Sequence, residues 1–451
     1  MNSYPSYQMI DLPWLKSVPS HWECDKAKRF FENPKVLNKG NSEKNVLSLT
    51  LKGVIRNNGE KPIGLSPADY STYQVFDGNE LVFKLIDLEN VSTSRVGIVW
   101  ERGIMSSAYI RFRMRRPGNI RYFYYQYYDW YKRQIFNGLG AGVRQTLSAS
   151  DLLNLAIAVP PQGEQDQIVR YLDWQVSKIN HLITAKKKQI SLLIEQKQLI
   201  IDDTIFHGIN SKVTFQNINK PFVDKIPAHW RIVRGKNLLA EHDVRSQTGA
   251  EELLSVSHIT GVTPRSQKNI TMFKSESLIG YKICAIDDIA ANTMWLWQGA
   301  VAVSNYYGVI SPSYNTYHQI NGAYDRRYLD YLLRSKPMVE EYKMNSTGIR
   351  KSRLRLYPAQ FLTILFPVPP IDEQKKIATH IANYSMSIDE TVNAIKREID
   401  TLHELRTRLI SDVVTGKIDV RGIDIPNYEY IEEETDMEDD SESEDEITEE
   451  E

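Results

Sequence analysis

Apolar residues recur at alternating spacings of three and four along two stretches of the chain. In the first, Val169, Leu172, Val176, Ile179, Ile183, Lys186, Ile190, Leu193, Lys197 and Ile200 fall on one stripe; in the second, Ala378, Ile381, Ser385, Ile388, Val392, Ile395, Ile399, Leu402, Arg406 and Leu409 do. A repeat near three and a half residues marks a helix that packs along a seam against another helix. Each stretch opens after V-P-P-x-x-E-Q and closes at Gly208 or Gly416. The prolines set the start, Glu164 and Glu373 complement the positive end of the helix dipole, and glycine stops the helix. The pattern predicts two helices of about 43 residues, roughly 65 Å each at 1.5 Å per residue. Each is the simplest partner for the other, running antiparallel if a pseudo-two-fold axis relates them. The basic seam positions Lys186, Lys197 and Arg406 then either set register or snorkel to the edge. Between the helices the period changes to two, as in "AYIRFRM" and "AVAVS", and Gly and Pro turns punctuate short β-branched runs. That pattern predicts strands, and with the helices an α+β fold.

The two helix openings, "VPPQGEQDQI" at 159–168 and "VPPIDEQKKI" at 368–377, stand 209 residues apart. "VPSHWE" and "IPAHWR" repeat at an offset of 208, "GIMSSAY" and "GVISPSY" at 205, and "GVRQ" and "GIRK" at 206. A fixed period with diverged contents is a tandem duplication. Each copy reads as a globular segment, then V-P-P, then a long helix.

Charge adds a partner to this outline. Residues 431–451 carry 14 acidic and no basic side chains, and the remaining body holds 55 basic against 43 acidic residues. A basic body suits a polyanion, while so acidic a tail is expected to stay disordered and to aid solubility. No apolar run is long enough to span a bilayer, and the N-terminus lacks a signal-peptide pattern, so a cytoplasmic protein is expected. Cys24 and Cys284 match no metal or redox spacing.

Basic clusters in the globular segments are the candidate DNA contacts. "IRFRMRRPGNIR" supplies Arg113, Arg115 and Arg116, with Arg111 and Arg121 beside them, and "GIRKSRLRL" supplies Arg350, Lys351, Arg353 and Arg355. Arginine can anchor phosphates or pair with guanine. The recurrence of Gly-Val/Ile-Arg singles out Arg144 and Arg350, "MWLWQGA" adds Trp297 and Gln298, and Tyr307 precedes the second of the paired turns. Catalytic signatures are missing: there is no phosphate-binding G-x-x-x-x-G-K-[ST], no G-x-G-x-x-G after a strand, no H-E-x-x-H and no [N/D]-P-P-[Y/F]. His21 and His229 share a repeat position and read as structural. No catalytic residue and no metal ligand is assigned.

Taken together, "YPSYQMIDLPWLKSVPSHWE", "DKIPAHW", the two V-P-P-x-x-E-Q helices, "MWLWQGAVAVS", "GVISPSY", "GIRKSRL" and "DVVTGKIDVRG" resemble the specificity subunits of type I restriction-modification systems. The resemblance runs nearly to Gly422; "MSSAY" departs from the more familiar "SPAY", and the acidic ending is atypical. It implies target recognition domains at 1–158 and 213–367, helical spacers at 159–212 and 368–425, and an acidic tail at 426–451. It implies a non-catalytic subunit in which each recognition domain reads half of a split, asymmetric duplex target. The helices would set the gap, with Leu172, Ile179, Ile183, Ile190 and Leu193 of one seam against Ile381, Ile388, Ile395, Ile399 and Leu402 of the other, and would dock two methyltransferase subunits. No cofactor would bind this chain; S-adenosylmethionine, ATP and Mg would belong to the methyltransferase and restriction subunits. The competing reading is a coiled-coil adaptor that binds protein without reading DNA.

Overall fold

The computed structural model describes residues 3–57, 69–88, 93–140, 146–220, 222–267, 277–350 and 353–431. They form two compact units. Of the described residues, the first takes those up to 188 and 395–431, and the second takes those within 189–394. Both predicted long helices are present, α1 (Gln162–His207) and α2 (Ile371–Val414). Each helix contributes one part to each unit. Among the described residues no helix is long and apolar enough to cross a membrane.

In the first unit a four-stranded antiparallel sheet holds β1 (Phe31–Glu32), β2 (Glu80–Phe83), β3 (Val96–Val99) and β4 (Ile110–Met114) in the order β1-β4-β2-β3. In the second unit the sheet holds β5 (Leu239–Glu241), β6 (Ile289–Ala291), β7 (Val301–Val303) and β8 (Asn315–Gln319) in the order β5-β8-β6-β7. The second order is the first order repeated. The flanking ladders repeat too. The hairpin Tyr7–Leu12 with Leu15–Pro19 corresponds to Phe215–Lys220 with Val223–Pro227, and Gln74–Phe76 with Gly103–Met105 corresponds to Lys282–Cys284 with Gly308–Ile310. β2, an inner strand, and β3, at the sheet edge, are both buried along their whole length, so other parts of the unit cover that edge. The Tyr-rich run becomes the helix Ile120–Lys132, whose Tyr127 packs edge-on against Phe83 and near Phe112 in the core.

The helix pair is antiparallel within each unit. In the first, Asn180 Oδ1 accepts from Arg406 Nη1 at 2.9 Å and Lys186 pairs with Glu398 further along; in the second, Lys197 Nζ meets Asp389 at 2.8 Å. Partners descend on α2 as they ascend on α1. Leu172, Ile179, Ile183, Ile381, Ile395 and Ile399 are buried, whereas Ile190, Leu193, Ile388 and Leu402 are half-buried. Lys186 and Lys197 thus cross the seam to acids on the other helix, while the third basic seam residue, Arg406, is buried.

Each helix begins at a carboxylate that gathers donors from the globular segment. Glu164 does more than complement a dipole: its carboxylate accepts from Tyr4 Oη (2.6 Å) and Trp22 Nε1 (3.0 Å) and meets His21 Nε2 at 2.7 Å. Glu373 repeats the contact with Trp230 Nε1 (3.1 Å) and His229 Nε2 (2.7 Å). The recurrent His-Trp pair therefore exists to hold the recurrent glutamate. The neighbouring glutamine ties the helix start to the globular segment: Gln165 donates to the Pro160 carbonyl and accepts from the Asn119 N–H, as Gln374 does with Pro369 and Asp325. At the far helix ends, Gly208 and Gly416 take φ of 75° and 74°. A Cβ at Gly416 would run into Pro19, so both backbone conformation and space require glycine there.

The tail begins later than residue 426. Residues 420–431 lie along α1: Gln167 Nε2 donates to the Val420 and Ile423 carbonyls (3.0 and 2.8 Å), Ser177 Oγ donates to the Glu429 carbonyl (2.7 Å), and Asn180 Nδ2 donates to the Ile431 carbonyl (3.0 Å). Ile425-Pro426-Asn427-Tyr428 carries little charge, and Tyr430 packs under the Arg121 guanidinium at 5.2 Å. The acidic run itself, 432–451, lies outside the described residues.

Candidate nucleic-acid interface

In the first unit the arginines on and after β4 divide by how fully their charge is already paired. Arg111 is fully buried, donating to Glu80 through Nε (2.6 Å) and Nη2 (2.7 Å) and to Asp77 through Nη2 (2.9 Å). It is a core ion pair, and its charge is consumed there. Arg113 also spends its guanidinium on Glu80 (2.8 Å) and Asp77 (2.7 Å), and the Glu80 hydrogen bond holds it more firmly protonated. Arg115 and Arg116 are more than half exposed, with looser contacts to Glu32 (3.5 Å) and Glu23 (3.6 Å). An open cleft of about 490 Å³ lies between Asp77, Asn79, Glu80, Arg113 and Arg116. Arg121 binds Asp173 at 2.6 Å and supports the C-terminal segment. Arg144 lies outside the described residues.

In the second unit, scattered sequence candidates converge on one residue. Thr293, which follows β6, donates through Oγ1 to the Ser313 carbonyl (2.7 Å) and accepts there from Asn315 Nδ2 (2.9 Å). Its own carbonyl accepts from the Leu356 N–H at 3.3 Å. These bonds join the S-P-S-Y turn, the W-x-W-Q turn and the G-I-R segment. Trp297 is half-buried, donates to the Met294 carbonyl (3.0 Å) and stacks on Trp295; Gln298 is half-buried beside it. Thr347 and Arg355 exchange both backbone hydrogen bonds (2.8 and 2.9 Å), closing a hairpin on which Ile349, Arg350 and Arg353 are exposed. Gly348 sits so close to the Arg353 carbonyl that no Cβ fits. Arg355 is half-buried and donates to the Leu354 carbonyl, Tyr307 is 56% exposed, and Lys351 lies outside the described residues. Thr293 carried no sequence signal beyond its place before the tryptophans. Among the described residues no cluster of three His, Cys, Asp or Glu is arranged to hold a metal ion, and burial pushes the Cys284 thiol up to about 12, which leaves it inert.

A duplicated sheet, each copy clamped to a long helix and presenting its own polar surface, defines a protein built of two equivalent units on one frame. Residues 26–192 match the family model of the type I restriction modification DNA specificity domain. The chain is 21% identical over 346 residues to the type I restriction enzyme MjaVIII specificity subunit of Methanocaldococcus jannaschii, covering 72% of this chain and 76% of that one. It is also 21% identical over 297 residues to the putative MjaX specificity subunit of that organism, covering 62% of this chain and 63% of the relative. A solved chain from work on assembly and conformational transition of the type I R-M system shares the fold at a TM-score of 0.59 and 13% identity, over 89% of this chain and 99% of that one. Residues 26–192 thus carry the type I restriction modification DNA specificity domain, and the specificity subunits are what the chain as a whole is similar to.

Proposed function

We propose that this chain is the non-catalytic DNA-reading subunit of a type I restriction-modification complex, each unit reading one half of a split, asymmetric duplex target. The observation that carries this reading is one frame built twice and surfaced differently. Strand order, glutamate clamp and helix are common to both units. The exposed polar groups are Arg115 and Arg116 in one, and Arg350, Arg353 and Tyr307 in the other. A shared frame with unlike surfaces suits two unlike half-sites. The helices supply the ruler between half-sites and the docking surface for two methyltransferase subunits. S-adenosylmethionine, ATP and Mg belong to those subunits and to a restriction subunit, in the cytoplasm.

Mapping methylated adenines in host DNA tests the reading, since it reports both half-sites and the gap together. Binding of the reconstituted complex should weaken steeply with salt, as phosphate contacts demand; salt-independent binding would favour the protein adaptor. Arg350→Ala should cost roughly 1–3 kcal/mol of discrimination at one half-site only. Equal loss at both halves would contradict its placement.

A further inference from the structure

One position is polar and buried in both units although its residue type differs. Gln74 is 2% exposed and Lys282 is 5% exposed. Strand register makes them equivalent: Gln74 faces Met105 and Lys282 faces Ile310, in each case the last strand residue before a four-residue turn. Those turns, Ser106–Tyr109 and Ser311–Tyr314, close with matching backbone bonds of 3.1 and 3.0 Å. Gln74 Nε2 donates directly to the turn, to the carbonyls of Ser107 (3.2 Å) and Tyr109 (2.8 Å). Lys282 reaches its turn by relay. Its Nζ donates to Asn315 Oδ1 (3.0 Å), Asn315 Nδ2 donates to Thr293 Oγ1 (2.9 Å), and Thr293 Oγ1 donates to the Ser313 carbonyl (2.7 Å). Glu241 lies 3.8 Å from the ammonium.

Burying an amide or an ammonium carries a desolvation cost that an apolar residue at the same place would avoid. Two unlike residues at one register position share a single consequence, a turn whose carbonyls are bonded from inside the unit. Ser107 and Ser313 ride on those turns and are exposed. Hydroxyls and backbone groups on a rigidly held turn are suited to phosphate and base-edge contacts. In the second unit the same Thr293 that ends the relay also holds the hairpin bearing Arg350 and Arg353.

We infer that the turns Ser106–Tyr109 and Ser311–Tyr314 are a matched pair of DNA-contacting turns, one per half-site, and that Gln74 and Lys282 are the positioning residues that preorganise them. This rests on the reading of each unit as the reader of one half-site. The test uses the full chain assembled with its methyltransferase subunits, and duplexes carrying the mapped target or a single base-pair change in either half. Lys282→Met should lower discrimination about tenfold at one half-site and leave the other unchanged, and Gln74→Leu should do the same at the opposite half. Asn315→Leu should reproduce Lys282→Met, and the double variant should lose no more than either alone, because both break one relay. Denaturation midpoints of the same variants report folding separately. Variants that lose stability yet discriminate both halves as the wild type does, or that damage both halves alike, overturn the positioning role. A wild-type complex that discriminates no duplex overturns the DNA-reading function itself.

Discussion

At the scale of single residues, Glu164 and Glu373 do the same work in unequal surroundings. Glu164 has three donors and a side chain 5% exposed, whereas Glu373 has two and is 24% exposed. Glu164→Ala leaves more buried donors unmatched, so it should cost about 3 kcal/mol in chemical denaturation, against about 1 kcal/mol for Glu373→Ala. The buried ion pair is similarly uneven. Glu80→Leu leaves the Arg111 guanidinium with Asp77 alone and should cost roughly 3–5 kcal/mol. Arg111→Met should cost less, because Glu80 keeps Arg113 and the Asp77 N–H. Asp330 offers a pH readout. Burial raises its carboxyl above the ordinary 3.8, against the pull of the Val303 N–H and of Arg334 and Arg326. A raised carboxyl contributes stability that is full below the ordinary value and is lost as pH rises through the raised one. Asp330→Asn keeps an acceptor for Val303, so its melting temperature should gain on the wild type from acid to neutral pH.

At the scale of elements, the long helices were the most legible part of the sequence because their pattern persists for about nine turns and is punctuated at both ends. The strands run two to six residues, too short for a period to establish itself. "AYIRFRM" shows how this misleads: alternation identifies a strand, yet Arg111 points into the core, since its acceptor Glu80 comes from a strand 31 residues earlier. The Thr293 junction was equally illegible, being made of carbonyls and hydroxyls that carry no pattern. The helix pair yields its own prediction. Asn180 stands between Arg406 of α2 and the carbonyl of half-buried Ile431, and Asn180 and Arg406 are themselves buried. Asn180→Leu should therefore destabilise the first unit by about 2–4 kcal/mol, with the earlier loss seen in amide exchange on α1 near residues 177–183.

At the scale of the whole molecule, duplication explains why so much is shared and why so little of the specificity is predictable. The parts that repeat are frame: His-Trp with glutamate, glutamine with a helix start, glycine at a helix end. The parts that differ are surface, and their chemistry depends on poses that spacing does not encode. The segment that follows α2 belongs to neither class. Gln167, Ser177 and Asn180 grip residues 420–431 by carbonyls and by the N–H of Ile431, which donates to Ser177 Oγ at 2.9 Å. A grip on main-chain atoms is nearly blind to side-chain identity. Apart from buried Val420 and the Arg421 and Tyr430 side chains, which make ring contacts, the path of this segment should stay fixed while its sequence drifts, and proline at position 431, which would delete the donated N–H, should be poorly tolerated.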